Sequence, residues 1–210
     1  DTLSFAHVDA PLSRGAPARF SWDAAQKLVL EAFGEYHPHL QHFAQTMFDR
    51  GYIEAEPRAG KRSGAYCTGS KKDRTSRIFM TYRETLGDVV TLAHELGHAY
   101  HSEVMRDQRS WACGYPASLA ETASILAETL IGDHLLAQPE TSESLRMQVL
   151  SKRLSAAVAY LLNIPTRFYF EKAFYERRQR AALNADELCG LMHETQMSVY
   201  GPVIAEDGTD

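Results

Sequence analysis

Cysteine is scarce in this chain and unpaired in pattern. There are 3 in 210 residues, Cys67, Cys113 and Cys189, odd in number, far apart and with no Cys-x-x-Cys. That excludes a disulfide framework and favours a reducing, cytoplasmic setting. Long apolar runs are also missing: no stretch approaches the roughly 18 apolar residues needed to span a bilayer, so no membrane partner is expected. A basic excess is absent as well. The formal net charge is −5, and basic runs stop at pairs such as Lys71-Lys72 and Arg177-Arg178, which excludes nucleic acid as an expected partner. Gly60-Lys61-Arg62 is no P-loop, because position 55 is Ala where Gly is needed and Arg follows the lysine. No Gly-x-Ser-x-Gly elbow occurs. What is present, 44% hydrophobic and 23% charged residues, is the composition of a globular chain with enough length for one substantial core.

Along the chain the expected class is mainly α, with a small antiparallel β-sheet ahead of a long helix. Residues 1–20 read as an extended lead-in carrying Pro11, Gly15 and Pro17. Ser21 can cap a helix to about Phe33, with Trp22, Leu28, Val29 and Ala32 as its apolar side. A second follows Pro38 with Leu40, Phe43, Met47 and Phe48, and ends at Gly51. Gly64–Thr68 and Arg77–Tyr82 are strand-like, the latter alternating Ile78, Met80 and Tyr82. Thr85 to Asp107 reads as one long helix, since Leu86, Val89, Val90, Ala93, Leu96, Gly97 and Tyr100 recur at helical spacing. An interior glycine costs about 1 kcal/mol relative to alanine, so Gly97 predicts a close backbone approach. Ser118 with Glu121 forms a Ser-x-x-Glu start for a helix to about Ala137. Helices over Thr141–Asn163, Pro165–Arg180 and Asn184–Tyr200 complete the reading, with no linker dividing residues 1–210.

On the long helix lies His94-Glu95-Leu96-Gly97-His98. Side chains at i and i+4 share one helical face, so the two imidazoles can reach one ion. Glu95 projects from a neighbouring angle, where it can hold a water rather than the metal. This is the HExxH arrangement of zinc peptidases. In such chemistry zinc activates its bound water and the glutamate accepts the water's proton as general base, later passing it to the leaving amine. A catalytic zinc keeps three protein ligands. Glu103 and Asp107 lie five and nine residues past His98, about 7 to 14 Å further along the axis, too far for the same ion. His101 is two turns from His94 and suits packing. Glu121, 23 residues downstream, can return beside the histidines or can be merely the cap carboxylate of its helix. Glu128, two turns beyond it, can accept a ligand imidazole's N–H. His37, His39 and His42, beside Pro38, read as surface residues. The strand at Arg77–Tyr82 can offer an edge to an extended peptide or be purely structural.

The run Thr91-Leu92-Ala93-His94-Glu95-Leu96-Gly97-His98-Ala99-Tyr100-His101-Ser102 resembles the active-site helix of the oligoendopeptidase F group, within the thimet-oligopeptidase-like zinc metallopeptidases. Ala120-Glu121-Thr122-Ala123-Ser124 resembles the segment that supplies that family's glutamate ligand. Gly60–Tyr66, Phe168–Glu176 and Tyr200-Gly201 extend the likeness over roughly residues 45 to 201. The resemblance implies a zincin-like helical catalytic core, one zinc on His94, His98 and Glu121, Glu95 as base, and short peptides as substrates. Family members are longer, and a later segment brings a His and a Tyr that hydrogen-bond the substrate. This chain stops soon after Tyr200-Gly201, so the expectation is a catalytic-core fragment or a short relative. A zinc-binding but weakly active piece and a non-catalytic helical interaction domain are the alternatives.

Overall fold

A computed structural model describes residues 17–201. Most of the lead-in expected over 1–20 lies outside the described residues. Its last part runs non-helically beside the start of the motif helix, with Arg19 bridging Thr85 and the Phe20 N–H donating to Glu84 O at 2.9 Å. The chain divides into two compact units, meeting at Arg146 and Met147.

In the first unit, α1 (Trp22–Tyr36) begins where the Ser21 hydroxyl accepts the Ala24 N–H. It buries Ala25, Leu28, Val29, Ala32 and Phe33. His37 turns the chain in an extended conformation, and α2 (Pro38–Asp49) starts on a proline whose missing N–H costs nothing at a first helical position. Three strands follow: β1 (Ile53–Glu54), β2 (Ala65–Ser70) and β3 (Thr75–Met80), in the order β1-β3-β2. The β2–β3 pair is antiparallel, as expected, with Cys67 opposite Ile78. β1 pairs parallel to β3, so the sheet is mixed. A two-residue strand carries no alternation and was invisible to pattern. β3 is therefore central: Ser76, Ile78 and Met80 are buried, so of the two readings of Arg77–Tyr82 the structural strand holds, and the edges of the sheet are β1 and β2. The loop between β1 and β2 is stapled by Lys61. Its buried ammonium donates to the carbonyls of Glu54 (3.2 Å) and Glu56 (2.9 Å), pairs with the Glu54 carboxylate (3.3 Å) and sits over the Phe79 ring.

α3 (Leu86–Val104) carries the motif at the centre of this unit and packs on α5, β2, β3, α2 and α1. Its start is a full capping box: Thr85 Oγ1 accepts the Asp88 N–H, while Asp88 Oδ2 accepts from Thr85 N at 2.9 Å. It ends at Val104, short of the expected Asp107. A turn of 3₁₀ helix (Ser110–Cys113) and the short α4 (Ala117–Ala120) lead to a break at Glu121, and α5 (Thr122–Ala137) follows. The Ser118–Glu121 capping box does not form. Ser118 lies inside α4, and Glu121 stands at the break with no side-chain cap bond. His134 of α5, buried, donates from Nδ1 to the Glu35 carboxylate of α1 at 2.9 Å, pinning those two helices.

In the second unit the helices expected on either side of residue 164 run continuously. α6 (Glu143–Val158), which starts just before the unit boundary, passes through a π turn (Ala159–Asn163) into α7 (Ile164–Arg178). The widened turn sits just before Pro165, with the Ile164 N–H reaching back five residues to Ala159 O. A proline inside a regular helix would lose its bond and strike the preceding turn, and the π turn relieves that crowding. α8 (Ala185–Tyr200) packs on α7, and its Asn184–Glu187 capping box forms as expected.

The predicted close approach at Gly97 is real. A Cβ there would lie 2.6 Å from Ala123 O and 2.7 Å from Ser124 Cα, backbone atoms of α5. Neither can swing aside. Gly97→Ala is expected to destabilise the chain by about 2 kcal/mol, overpacking outweighing the gain in helix propensity. Urea unfolding checks this; wild-type stability in the variant would show that α5 can retreat.

Candidate metal centre

The site is assembled from one turn of α3 and the break before α5. His94 Nε2 and His98 Nε2 face each other at 3.1 Å. Glu121 Oε2 lies 3.3 Å from each of them. The histidines are largely covered and Glu121 is about half exposed, which leaves one open side. Among the described residues these three form a group able to hold a metal ion. Ligands about 2.0–2.1 Å from a tetrahedral ion stand about 3.3 Å apart, so the triangle matches one tetrahedral face. Two neutral imidazoles and a carboxylate are also the donor set that zinc takes in catalytic sites, with a fourth position left open. The residues fit a zinc ion.

The orientation of the His94 imidazole is fixed from behind. His94 Nδ1 meets Glu128 Oε1 at 2.6 Å, as the two-turn spacing from Glu121 predicted. With Nδ1–H donated to Glu128, the lone pair on Nε2 points into the site. The Glu128 carboxylate, chiefly through that hydrogen bond, raises the His94 pKa. For His98 burial dominates over the neighbouring Glu121 charge and lowers its pKa, favouring the neutral ligand form. Glu95 does not join the triangle. It is 6% exposed, and burial raises its pKa, with the nearby Glu121 charge adding to the effect. A carboxylate so placed is a better proton acceptor than one in water.

Other sequence candidates separate cleanly. His101 stacks on Tyr115 with ring centroids 4.5 Å apart, a packing role. Glu103 pairs with Arg106 and Asp107 with Arg74, away from the triangle. His37 accepts the His39 N–H at the start of α2, and His39 bonds the Tyr100 hydroxyl at 3.1 Å. Two residues near the site were not foreseen. Ser124, fully buried, donates to Glu121 Oε2 at 2.7 Å. Cys67 of β2 lies beside Glu95 and is brought there by strand register, which no local pattern encodes.

The family model described as peptidase family M3 matches residues 27–209. Group B oligopeptidase PepB of Streptococcus agalactiae is 31% identical over 206 residues, 96% of this chain and 33% of that protein. The chromosomal oligoendopeptidase F of Lactococcus lactis subsp. cremoris is 31% identical over 175 residues, 82% of this chain and 28% of its own. The chain thus spans about a third of the length of the curated relatives it matches. Among solved structures, one from Chlamydophila abortus described as a peptidase superposes with a TM-score of 0.77 at 26% identity, covering 97% of this chain and 34% of that one. An oligoendopeptidase F from Bacillus anthracis gives 0.78 at 18% identity, over 95% and 36% of the two chains, a likeness of fold.

Burial, followed by the Glu95 charge, pushes the Cys67 thiol up to about 11. A group whose pKa is raised stays protonated until the pH approaches that value. At pH 8 the thiolate fraction is therefore on the order of 10⁻³, and the thiolate is the reactive form. Cys67 is expected to react with iodoacetamide at least tenfold more slowly than exposed Cys189, as read by peptide mass mapping. Equal rates would show that Cys67 is not held in the closed position described.

Proposed function

The chain belongs to peptidase family M3, and from that premise we propose that it is the catalytic core of a zinc-dependent metalloendopeptidase acting on short oligopeptides. The observation that carries the reading is the His94–His98–Glu121 triangle with Glu95 buried beside it and free of it. His94, His98 and Glu121 would hold the ion. Zinc there supplies Lewis acidity toward the scissile carbonyl and lowers the pKa of water. Glu95 takes the proton of the attacking water on its carboxylate and returns it to the leaving amine nitrogen. Glu128 holds the His94 ring with its Nε2 lone pair facing the site.

β2 is proposed to orient the substrate. It is an edge strand of the sheet, it packs on α3, and its Cys67 lies beside Glu95. An extended peptide can add to such an edge through main-chain hydrogen bonds, which are blind to sequence and suit a general oligopeptidase. Three unpaired thiols fit a reducing, cytoplasmic setting. Among the described residues no helix is long and apolar enough to cross a membrane.

Elemental analysis of purified protein is expected to give one zinc per chain, His94→Ala to lose it, and Glu121→Ala to hold it far more weakly than wild type, at an affinity still measurable by chelator competition. Failure of the wild type to take up zinc would remove the metal reading. A short internally quenched peptide is expected to be cut, with Glu95→Gln slower by about 10²–10⁴ while zinc is retained. Activity unchanged by Glu95→Gln would refute the assigned base; full zinc with no turnover would restrict this chain to metal binding.

A further inference from the structure

We propose that Ser124 is a positioning residue for the metal, its buried hydroxyl clamping the Glu121 carboxylate against the histidine pair. The proposal rests on the metal reading above. Glu121 alone is poorly constrained. It stands at a helix break, its side chain is about half exposed, and no capping bond restrains it. A carboxylate on a rotatable stem in water samples several rotamers, and each lost rotamer weakens a preformed ligand triangle. Ser124 supplies the missing restraint. It is fully buried in the first turn of α5, and its Oγ lies 2.7 Å from Glu121 Oε2, the same oxygen that stands 3.3 Å from both imidazoles. Its alternative acceptor, the Glu121 carbonyl, is at 3.0 Å, so the hydroxyl is confined to the one residue in either state.

The reach of this clamp is set by the motif itself. Gly97 lies between the two histidines in sequence, and its missing Cβ lets Ser124 Cα come within 2.7 Å of where that atom would be. The glycine thus admits α5 to the face of α3, and the serine converts that proximity into a fixed carboxylate. The hydrogen bond resembles in kind the one Glu128 accepts from His94: an outer group that orients a ligand residue without touching the ion. Loss of such partners typically weakens metal binding 10–100-fold.

The test is a double-substitution cycle read by zinc affinity, using competition with a chromophoric chelator on the full chain. Ser124→Ala is expected to bind zinc 10–100-fold more weakly than wild type, with helix content by circular dichroism unchanged. In a Glu121→Ala background the same substitution is expected to change affinity by less than about twofold, because the group it acts through is gone. Should the alanine variant misfold, Ser124→Gly removes the same hydroxyl without adding an atom and repeats the measurement. Wild-type affinity in the folded Ser124 variant overturns the proposal, as does an equal loss in both backgrounds, which would mark a purely structural role. A wild-type chain that takes up no zinc sinks the metal reading itself, an outcome distinct from either.

Discussion

Everything in the site depends on how closely α5 can lie against α3. Two of the three donors, His94 and His98, come from one helical turn and would face the same way in any helix. The third comes from a different helix, and its oxygen is 3.3 Å from both only because backbone meets backbone at Gly97. The approach is nearer than side-chain packing permits, since even one methyl group would fall within 2.6 Å of Ala123 O. The glycine gives up about 1 kcal/mol of local helix stability, offset by contacts that only a smooth helix face can make. The break at Glu121 serves the same end. At that break Glu121 sits between α4 and α5, and its side chain reaches both histidines.

Burial then divides the acidic residues by task. Glu121 is open to solvent on one side and reaches both histidines. Glu128 is more covered and is committed to His94. Glu95 is the most enclosed, and its affinity for a proton rises accordingly. The same dry wall, made by β2 and β3 against α3, keeps the Cys67 thiol protonated.

Much of this was legible because helices announce themselves by period and caps. The motif helix, the Asn184 capping box and the alternation of β3 all followed from local rules that tertiary packing did not overturn. Gly97 was readable as a close contact, though not with which partner. Glu121 was ambiguous on spacing alone. The Ser118 pattern suggested a cap, and the chain instead broke its helix at that residue. β1 was too short to carry a pattern, and with it went the identity of the sheet edge. The join of α6 and α7 was missed because Pro165 normally stops a helix, and the π turn that accommodates it has no signature in composition. Ser124 and Cys67 come to the site through packing and register, properties that no single segment contains.

The junction at Gly97 also ties ligand occupancy to conformational stability. An ion gripped by both helices cannot leave one of them without releasing a ligand, so its binding free energy is added to whatever holds α5 on α3. By linkage, free zinc at a hundred times its dissociation constant would stabilise that pairing by about 2.7 kcal/mol, and a chelator would withdraw the same amount. The α3–α5 seam is therefore the part of this chain whose opening, as seen by amide exchange along α5, should track the surrounding metal concentration most steeply.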